Sequence, residues 1–72
     1  RVNAVNPTVV MTPMSEWYWG REDVGGPLLE AMPLTRWATE EDCAAPIVFL
    51  LSDASAMISG VCLPIDGGFT AV

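Results

Sequence analysis

The chain has 72 residues, of which 51 % are hydrophobic and 17 % charged, and its formal net charge is −6. This composition predicts a packed core rather than disorder. The acidic balance argues against nucleic-acid binding, which needs clustered lysines and arginines to neutralise phosphates. The chain has two cysteines and no histidine, fewer than the four ligands of a structural zinc site, so no metal site is predicted. We expect Cys43 and Cys62 to be buried free thiols; a single disulfide is the alternative.

No membrane span or targeting signal is visible in the sequence. The longest apolar run, residues 43–51, is far shorter than the ~20 residues of a spanning helix, and no signal peptide or lipidation motif is present. These missing signals favour a cytoplasmic location. Residues 1–5 have the character of a strand already under way, without a turn signal before them. We therefore expect a part of a longer domain; a processed N-terminus is the alternative.

Residues 1–12 are predicted to be extended. A short strand is expected over Arg1–Val5, where the apolar residues alternate. Asn6-Pro7 is expected to break this strand, because proline restricts the residue before it. The chain then continues extended to Thr12, and Pro13 closes the segment.

Residues 13–38 are predicted to form a mobile, partly helical excursion. One or two helical turns are expected over Met14–Trp19, with Ser15 as the cap. Helix-breaking residues then follow at Gly20, Gly25, Gly26 and Pro27. A second short helix is expected to start at Pro27, because proline suits the first helical position, and to end at Pro33.

Residues 39–72 are predicted to contain a helix, a strand and a tail. The helix is expected over Thr39–Ser52, with Thr39 as N-cap and Asp42 at capping-box spacing. Acidic residues in its first turn suit the helix dipole. Its apolar residues lie almost all round, which predicts burial on more than one side, and Pro46 predicts a local bend.

The second strand is predicted over Val61–Ile65, and Pro64 makes it an edge strand. Asp66-Gly67-Gly68 is expected to be a turn before a tail at residues 69–72. Strand, excursion, helix and strand together predict an α/β fold: a βαβ portion of a doubly wound, Rossmann-like parallel sheet with a right-handed crossover. Two parallel strands are not a stable sheet alone, so the first strand needs a neighbour that this chain lacks.

Several sequence blocks resemble the short-chain dehydrogenase/reductase family and cover nearly the whole chain. They are residues 3–12, 33–38, 41–42, 49–53, 59–60 and 65–68. The blocks at 6–12 and 63–69 are most similar to the dicarbonyl/L-xylulose reductase branch. The resemblance implies the C-terminal part of an oxidoreductase that uses NADP, or NAD, to reduce a small carbonyl compound, either a dicarbonyl or a ketose sugar such as L-xylulose. It also implies that the chain forms the nicotinamide and substrate end of the site.

The family's catalytic pair is a tyrosine with a lysine four residues later. This chain contains no lysine, and its only tyrosine, Tyr18, is followed four positions later by Glu22. Neither of its Gly-Gly pairs has the spacing or setting of a phosphate-binding turn. No catalytic residue is therefore predicted here, and the chain alone is expected to be inactive.

By the same resemblance, Pro7, Thr8, Val10 and Thr12 are the cofactor-binding residues. Thr8 stands where most members have glycine. The backbone of Val10 and the hydroxyl of Thr12 suit a carboxamide, which needs both donors and acceptors, while Pro7 fixes the chain direction. Without the resemblance, the Thr12 hydroxyl would be expected to bond its own backbone in a turn.

Trp17, Tyr18 and Trp19 lie in the region that resembles the family's substrate loop. They are candidates to line or cover a substrate pocket; packing against the rest of a larger fold is the alternative. The resemblance also places the edge strand and the tail in subunit contacts. A non-catalytic interaction role, in a homo-oligomer such as a tetramer, is the second hypothesis for the chain.

Overall fold

The computed structural model describes all of residues 1–72, and its elements follow one another in the order that the sequence predicts. They are β1 (Ala4–Pro7), α1 (Pro13–Trp19), α2 (Glu22–Ala31), α3 (Glu40–Leu51) and β2 (Cys62–Ile65), with short 3₁₀ turns at Asp53–Ser55 and Phe69–Ala71. The two strands are parallel, with Ala4 opposite Cys62 and Pro7 opposite Ile65. The predicted α/β class and the parallel strand pair are confirmed.

Strand β1 spans Ala4–Pro7 instead of the predicted Arg1–Val5: residues 1–3 lie outside it, and Asn6-Pro7 lies inside it rather than breaking it. The amides of Ala4 and Thr8 donate to the carbonyls of Val61 and Ile65, at 2.9 and 3.2 Å. Since successive residues of a strand face opposite edges, the position of Pro7 faces away from β2. Its missing N–H therefore interrupts no hydrogen bond of this ladder.

Helix α1 begins one residue earlier than predicted, and Ser15 is not its cap. Thr12 is the N-cap: its hydroxyl accepts from the amide of Ser15 at 3.3 Å. In return the Ser15 hydroxyl accepts from the amide of Thr12 at 2.9 Å. This reciprocal pair is a capping box with serine as the third helical residue. Pro13, at the first helical position, explains why the boundary lies there.

Helix α2 is continuous over Glu22–Ala31, so the prediction that glycines and Pro27 break this segment was wrong. Gly25 is buried in the middle of the helix, packed against Trp19 and Trp37. Each glycine costs up to about 1 kcal/mol of helix propensity, and this packing outweighs that cost. Pro27 lies inside the helix rather than at its start. The helix ends next to Met32, which is 1 % exposed.

Helix α3 follows the prediction at its start. Thr39 is the N-cap and forms a capping box with Asp42. Asp42 also accepts from both guanidinium nitrogens of Arg36, at 2.7 and 3.3 Å. Pro46 lies inside the helix. The Asp42 carboxylate therefore caps the start of α3 and also links it to Arg36, in the segment that precedes the helix.

The predicted burial of α3 on several sides is wrong within this chain. Only Leu50 is buried, whereas four large apolar side chains of the helix are exposed: Ile47, Val48, Phe49 and Leu51. Cys62 is also exposed, against the prediction of a buried thiol, while Cys43 is half-buried; both are free thiols. None of the helices has the length and hydropathy needed to cross a bilayer.

The Arg1 side chain binds backbone carbonyls at the C-terminal end of α3. Its guanidinium donates to the carbonyls of Leu50 at 3.1 Å, Ser52 at 3.3 Å, Ser55 at 2.9 Å and Ile58 at 3.2 Å. It also bonds the Ser55 hydroxyl at 3.2 Å. The last carbonyls of a helix have no partners within it, and here one side chain supplies them. Ser55 is 1 % exposed, so this cluster belongs to the small core.

The Asp42 carboxylate should make stability depend on acid pH. Its hydrogen bonds to Arg36, and then to the amide of Thr39, hold the pKa of Asp42 well below its usual range. Stabilisation from a lowered pKa is complete above the unfolded value of about 4 and is lost as pH falls below it. We expect Asp42→Asn to lower the melting temperature of the full-length protein at pH 7, and the difference from wild type to shrink below about pH 4.

Glu40→Gln is the matched control for this experiment, because it removes a charge from the same helical turn at a side chain without a hydrogen bond. We expect it to lower the melting temperature less than Asp42→Asn at pH 7. A difference between wild type and Asp42→Asn that stays constant from neutral to acid pH would contradict the assignment.

Candidate functional site

Residues 9–11, which follow the carboxyl end of β1, form backbone hydrogen bonds along only one edge, to Ala38. Val10 forms an isolated parallel bridge with Ala38. The Met11 amide donates to the Ala38 carbonyl at 2.9 Å, and the Ala38 amide donates to the Val9 carbonyl at 3.3 Å. Ala38 is 8 % exposed. The bridge therefore fixes this segment against the residue that precedes the cap of α3.

The opposite edge of Val10 is open. Its carbonyl accepts one hydrogen bond, from the Ser15 hydroxyl at 2.7 Å, and retains a second lone pair. Its amide has no hydrogen-bond partner in the chain, although the residue is half-buried. One donor and one acceptor thus lie side by side on a fixed strand-like backbone. A primary amide is complementary to this arrangement, because it also carries one acceptor and a donor.

Thr12 lies at the end of this open edge, with its hydroxyl engaged at the start of α1. The oxygen accepts from the Ser15 amide and lies 3.2 Å from the Ser15 hydroxyl. The turn role that the sequence offered as the alternative is therefore present in the structure. Because the Ser15 hydroxyl donates its proton to Val10, Thr12 is the donor in its 3.2 Å contact with the Ser15 hydroxyl, and a ligand acceptor would have to replace Ser15 as the partner of that proton. The ligand role of Thr12 stays a prediction.

Pro7 and Thr8 face different surroundings from Val10 and Thr12. Both border a cavity of about 240 Å³ at the carboxyl ends of the two strands, lined by Asn6, Pro7, Thr8, Pro64, Asp66, Phe69 and Thr70. Thr8 also borders a smaller cleft with Arg36 and Asp42. The four predicted cofactor residues therefore lie along one segment, but they do not share one cavity.

The turn after β2 forms the other wall of this cavity. Asp66 accepts from the Thr70 hydroxyl at 2.7 Å and from the amides of Gly68 and Thr70 at 3.0 and 3.1 Å. The Thr70 hydroxyl is the main reason why the pKa of Asp66 lies below its usual range. Gly67 and Gly68 both have positive φ, at 61° and 89°, which suits glycine. Asp66 is confirmed as a turn former.

The proximity of the Asp66 turn to Pro7 and Thr8 is not among the predictions made from the sequence. The signal that was available is the parallel pairing itself, because the carboxyl ends of parallel strands meet at one edge of a sheet. The sequence predicts only a tail for Phe69 and Thr70. In the structure they line the same cavity as two of the predicted cofactor residues.

The structure divides the predicted aromatic cluster into two parts. Trp17 and Tyr18 are exposed, by 70 % and 43 %. Trp19 is half-buried and packs edge-on against Trp37, with ring centroids 6.3 Å apart. Trp17 and Tyr18 therefore remain free to contact a ligand or another part of the protein, while Trp19 holds α1 to the segment before α3. Trp37 is not among the aromatic residues that the sequence predicts for the site.

Comparison with known proteins identifies the protein family to which the chain belongs. A family model described as enoyl-(acyl carrier protein) reductase matches residues 1–70. The chain belongs to this family, which is the short-chain dehydrogenase/reductase family that the sequence blocks resemble. The Rossmann-like fold class predicted from the sequence is confirmed by the solved structures that cover the chain.

Among individual proteins, the L-xylulose reductase of Bos taurus is 51 % identical over 71 residues. The match covers 99 % of this chain but only 29 % of that protein, so the chain spans less than a third of its relative. A protein from Agrobacterium tumefaciens solved with bound NADP is 35 % identical, with a TM-score of 0.91 over 99 % of this chain and 29 % of that one. A 4-hydroxyisoleucine dehydrogenase complexed with NADH is 32 % identical, with a TM-score of 0.89 over 100 % and 30 %.

Proposed function

We propose that the chain is the C-terminal, nicotinamide-side part of an oxidoreductase that reduces a small carbonyl compound, a ketose sugar such as L-xylulose, with NADPH. Family membership supports redox chemistry with a nicotinamide cofactor. The identity of about half of all residues to an L-xylulose reductase supports the substrate class. The choice of NADP over NAD rests on one neighbour with bound NADP, against another with NADH.

The observation that carries this proposal is the open edge of Val10. Its unpartnered amide and its carbonyl would bind the carboxamide oxygen and NH₂ of the nicotinamide, and the Thr12 hydroxyl would add one hydrogen bond. The bridge to Ala38 pairs the opposite edge of Val10 and so restricts where this edge can lie. This restriction matters, because hydride transfer depends on orienting the ring against the substrate. When bound, the nicotinamide supplies the hydride.

The proton that accompanies the hydride has no donor of the family's type in this chain. There is no lysine, and Tyr18 is exposed on α1, beside two tryptophans. We propose that the catalytic tyrosine and lysine come from other parts of the protein, and that residues 1–72 alone do not turn over. A homotetramer and a cytoplasmic location remain predictions from the sequence.

Turnover by the full-length protein tests the proposal directly. We expect oxidation of NADPH, followed by its absorbance, when L-xylulose is added, and a lower kcat/KM with NADH. The isolated 72-residue chain is the control and should give no turnover at the same concentration. Absence of NADPH or NADH oxidation with any ketose or dicarbonyl would contradict the proposed function. Turnover by the isolated chain would contradict the assignment of the catalytic pair to other parts.

A further inference from the structure

Gly25 occupies a position in α2 where there is no room for a side chain. A Cβ atom built on it would lie 2.1 Å from the carbonyl oxygen of Trp19 and 2.8 Å from Cζ2 of Trp37. Real Cβ atoms essentially never lie closer than 3.0 Å to heavy atoms beyond their own residue and its chain neighbours. The backbone of Gly25 is ordinary helix, so the position demands space and not conformational freedom.

The neighbouring residue, Gly26, does not have this steric constraint. A Cβ atom on Gly26 would meet only Cγ of Glu22, at 3.7 Å, which is an ordinary contact. Helix propensity favours alanine over glycine at both positions. The close approach of α2 to Trp19 and Trp37 therefore explains a glycine at position 25 and gives no reason for one at position 26.

Four aromatic rings form a continuous row that begins at this contact. We call Trp17, Tyr18, Trp19 and Trp37 the aromatic row; successive ring centroids lie 5.7, 5.2 and 6.3 Å apart, all edge-on. Edge-to-face contacts at these distances are attractive. Trp37 directly precedes Ala38, which pairs with the open segment at Val10. The row thus links the exposed Trp17 to the backbone that carries the proposed carboxamide site.

We propose that Gly25 is a positioning residue: by admitting Trp37 and the end of α1 to close contact, it fixes Trp17 and Tyr18 where they contact the carbonyl substrate. This rests on the proposed function. A side chain at position 25 pushes α1 and α2 apart and displaces the exposed end of the row. The Val10–Ala38 bridge has its own two backbone hydrogen bonds, from Met11 to Ala38 and from Ala38 to Val9, and we expect these to keep it in place when the Trp37 side chain moves. Substrate binding is therefore affected and cofactor binding is not.

The test compares Gly25→Ala with Gly26→Ala in the full-length protein. We expect Gly25→Ala to raise the KM for L-xylulose by about tenfold or more, since small displacements in a site carry large effects. The cofactor Kd should stay within about twofold of wild type, and kcat should change less than KM, the pattern of lost substrate binding. Gly26→Ala should leave all three constants within about twofold. An unchanged KM in Gly25→Ala, or an equal rise in the cofactor Kd, overturns the proposal.

Two further measurements keep the test decisive. If Gly25→Ala does not fold, Trp37→Phe replaces it, because the smaller ring weakens the same contact without adding an atom. A KM within about twofold of wild type then overturns the proposal.

If wild type reduces no carbonyl compound, the proposed function has failed, and the contact between Gly25 and Trp37 is tested by circular dichroism. The couplet from the Trp19 and Trp37 indoles should be lost in Gly25→Ala and kept in Gly26→Ala; its retention in both overturns the proposed role of Gly25.

Discussion

Replacing Thr12 with valine is expected to lower the cofactor-dependent kcat/KM of the full-length protein about 100-fold, since misplacing a reactive group by about 1 Å can cost that much. Valine keeps the shape of threonine but removes the hydroxyl that caps α1 and that we propose to bind the carboxamide. Loss of the cap alone should lower the free energy of unfolding by about 1 kcal/mol. Steady-state kinetics and urea unfolding measure the two effects separately.

Two control variants separate the cap from the ligand role. Thr12→Ser keeps the hydroxyl and should stay near wild type in both measurements. Ser15→Ala removes the other half of the capping box and the hydrogen bond to the Val10 carbonyl but leaves the Thr12 hydroxyl, so it should lower stability and should lower kcat/KM less than Thr12→Val does. If Ser15→Ala and Thr12→Val lower kcat/KM equally, Thr12 acts only as a helix cap.

Replacing Arg1 with methionine is expected to lower the free energy of unfolding by about 3 kcal/mol, the scale of charge-assisted hydrogen bonds whose acceptors lose their partner. One guanidinium serves four carbonyls and the Ser55 hydroxyl around the end of α3. Methionine keeps much of the length and removes every donor. Urea unfolding of the full-length protein measures the change.

Arg1→Lys is the matched control. Lysine retains the charge but has three donors on a single nitrogen, without the planar fork of arginine. It should recover part of the lost stability and not all of it. A loss below about 0.5 kcal/mol in Arg1→Met, typical of an ordinary surface substitution, would show that water replaces the guanidinium at no cost.

The start of α3 was predictable because its signals are local. Thr39 and Asp42 stand three residues apart and need only each other to form the capping box. The Asp66 turn was predictable for the same reason, since its partners Gly68 and Thr70 follow within four residues. The start of α1 was misplaced even though a local signal existed. Pro13 suits the first helical position and so indicates Thr12, and not Ser15, as the cap.

Helix α2 was not predictable, because its stability comes from a distant contact. Gly25, Gly26 and Pro27 are all signals for a break, and they are overridden by packing of Gly25 against Trp37, twelve residues away. The same distinction between local and distant signals applies to the candidate site. Val10 and Thr12 followed from a family resemblance within one segment. The cavity that joins Pro7 to Phe69 depends on the pairing of two strands more than fifty residues apart.

The Val10–Ala38 bridge has a consequence for how this protein can change over evolution. Because it brings together the two ends of residues 11–37, that stretch is a loop closed at its base. Changes at the part of this loop remote from the turn after β2 are therefore expected to leave the register of β1 against β2 unaltered, because the strands pair through residues outside the loop. Under the proposed function, in which Trp17 and Tyr18 of this loop contact the substrate, we expect an exchange of residues 13–37 between relatives, with Thr12 kept, to alter substrate preference.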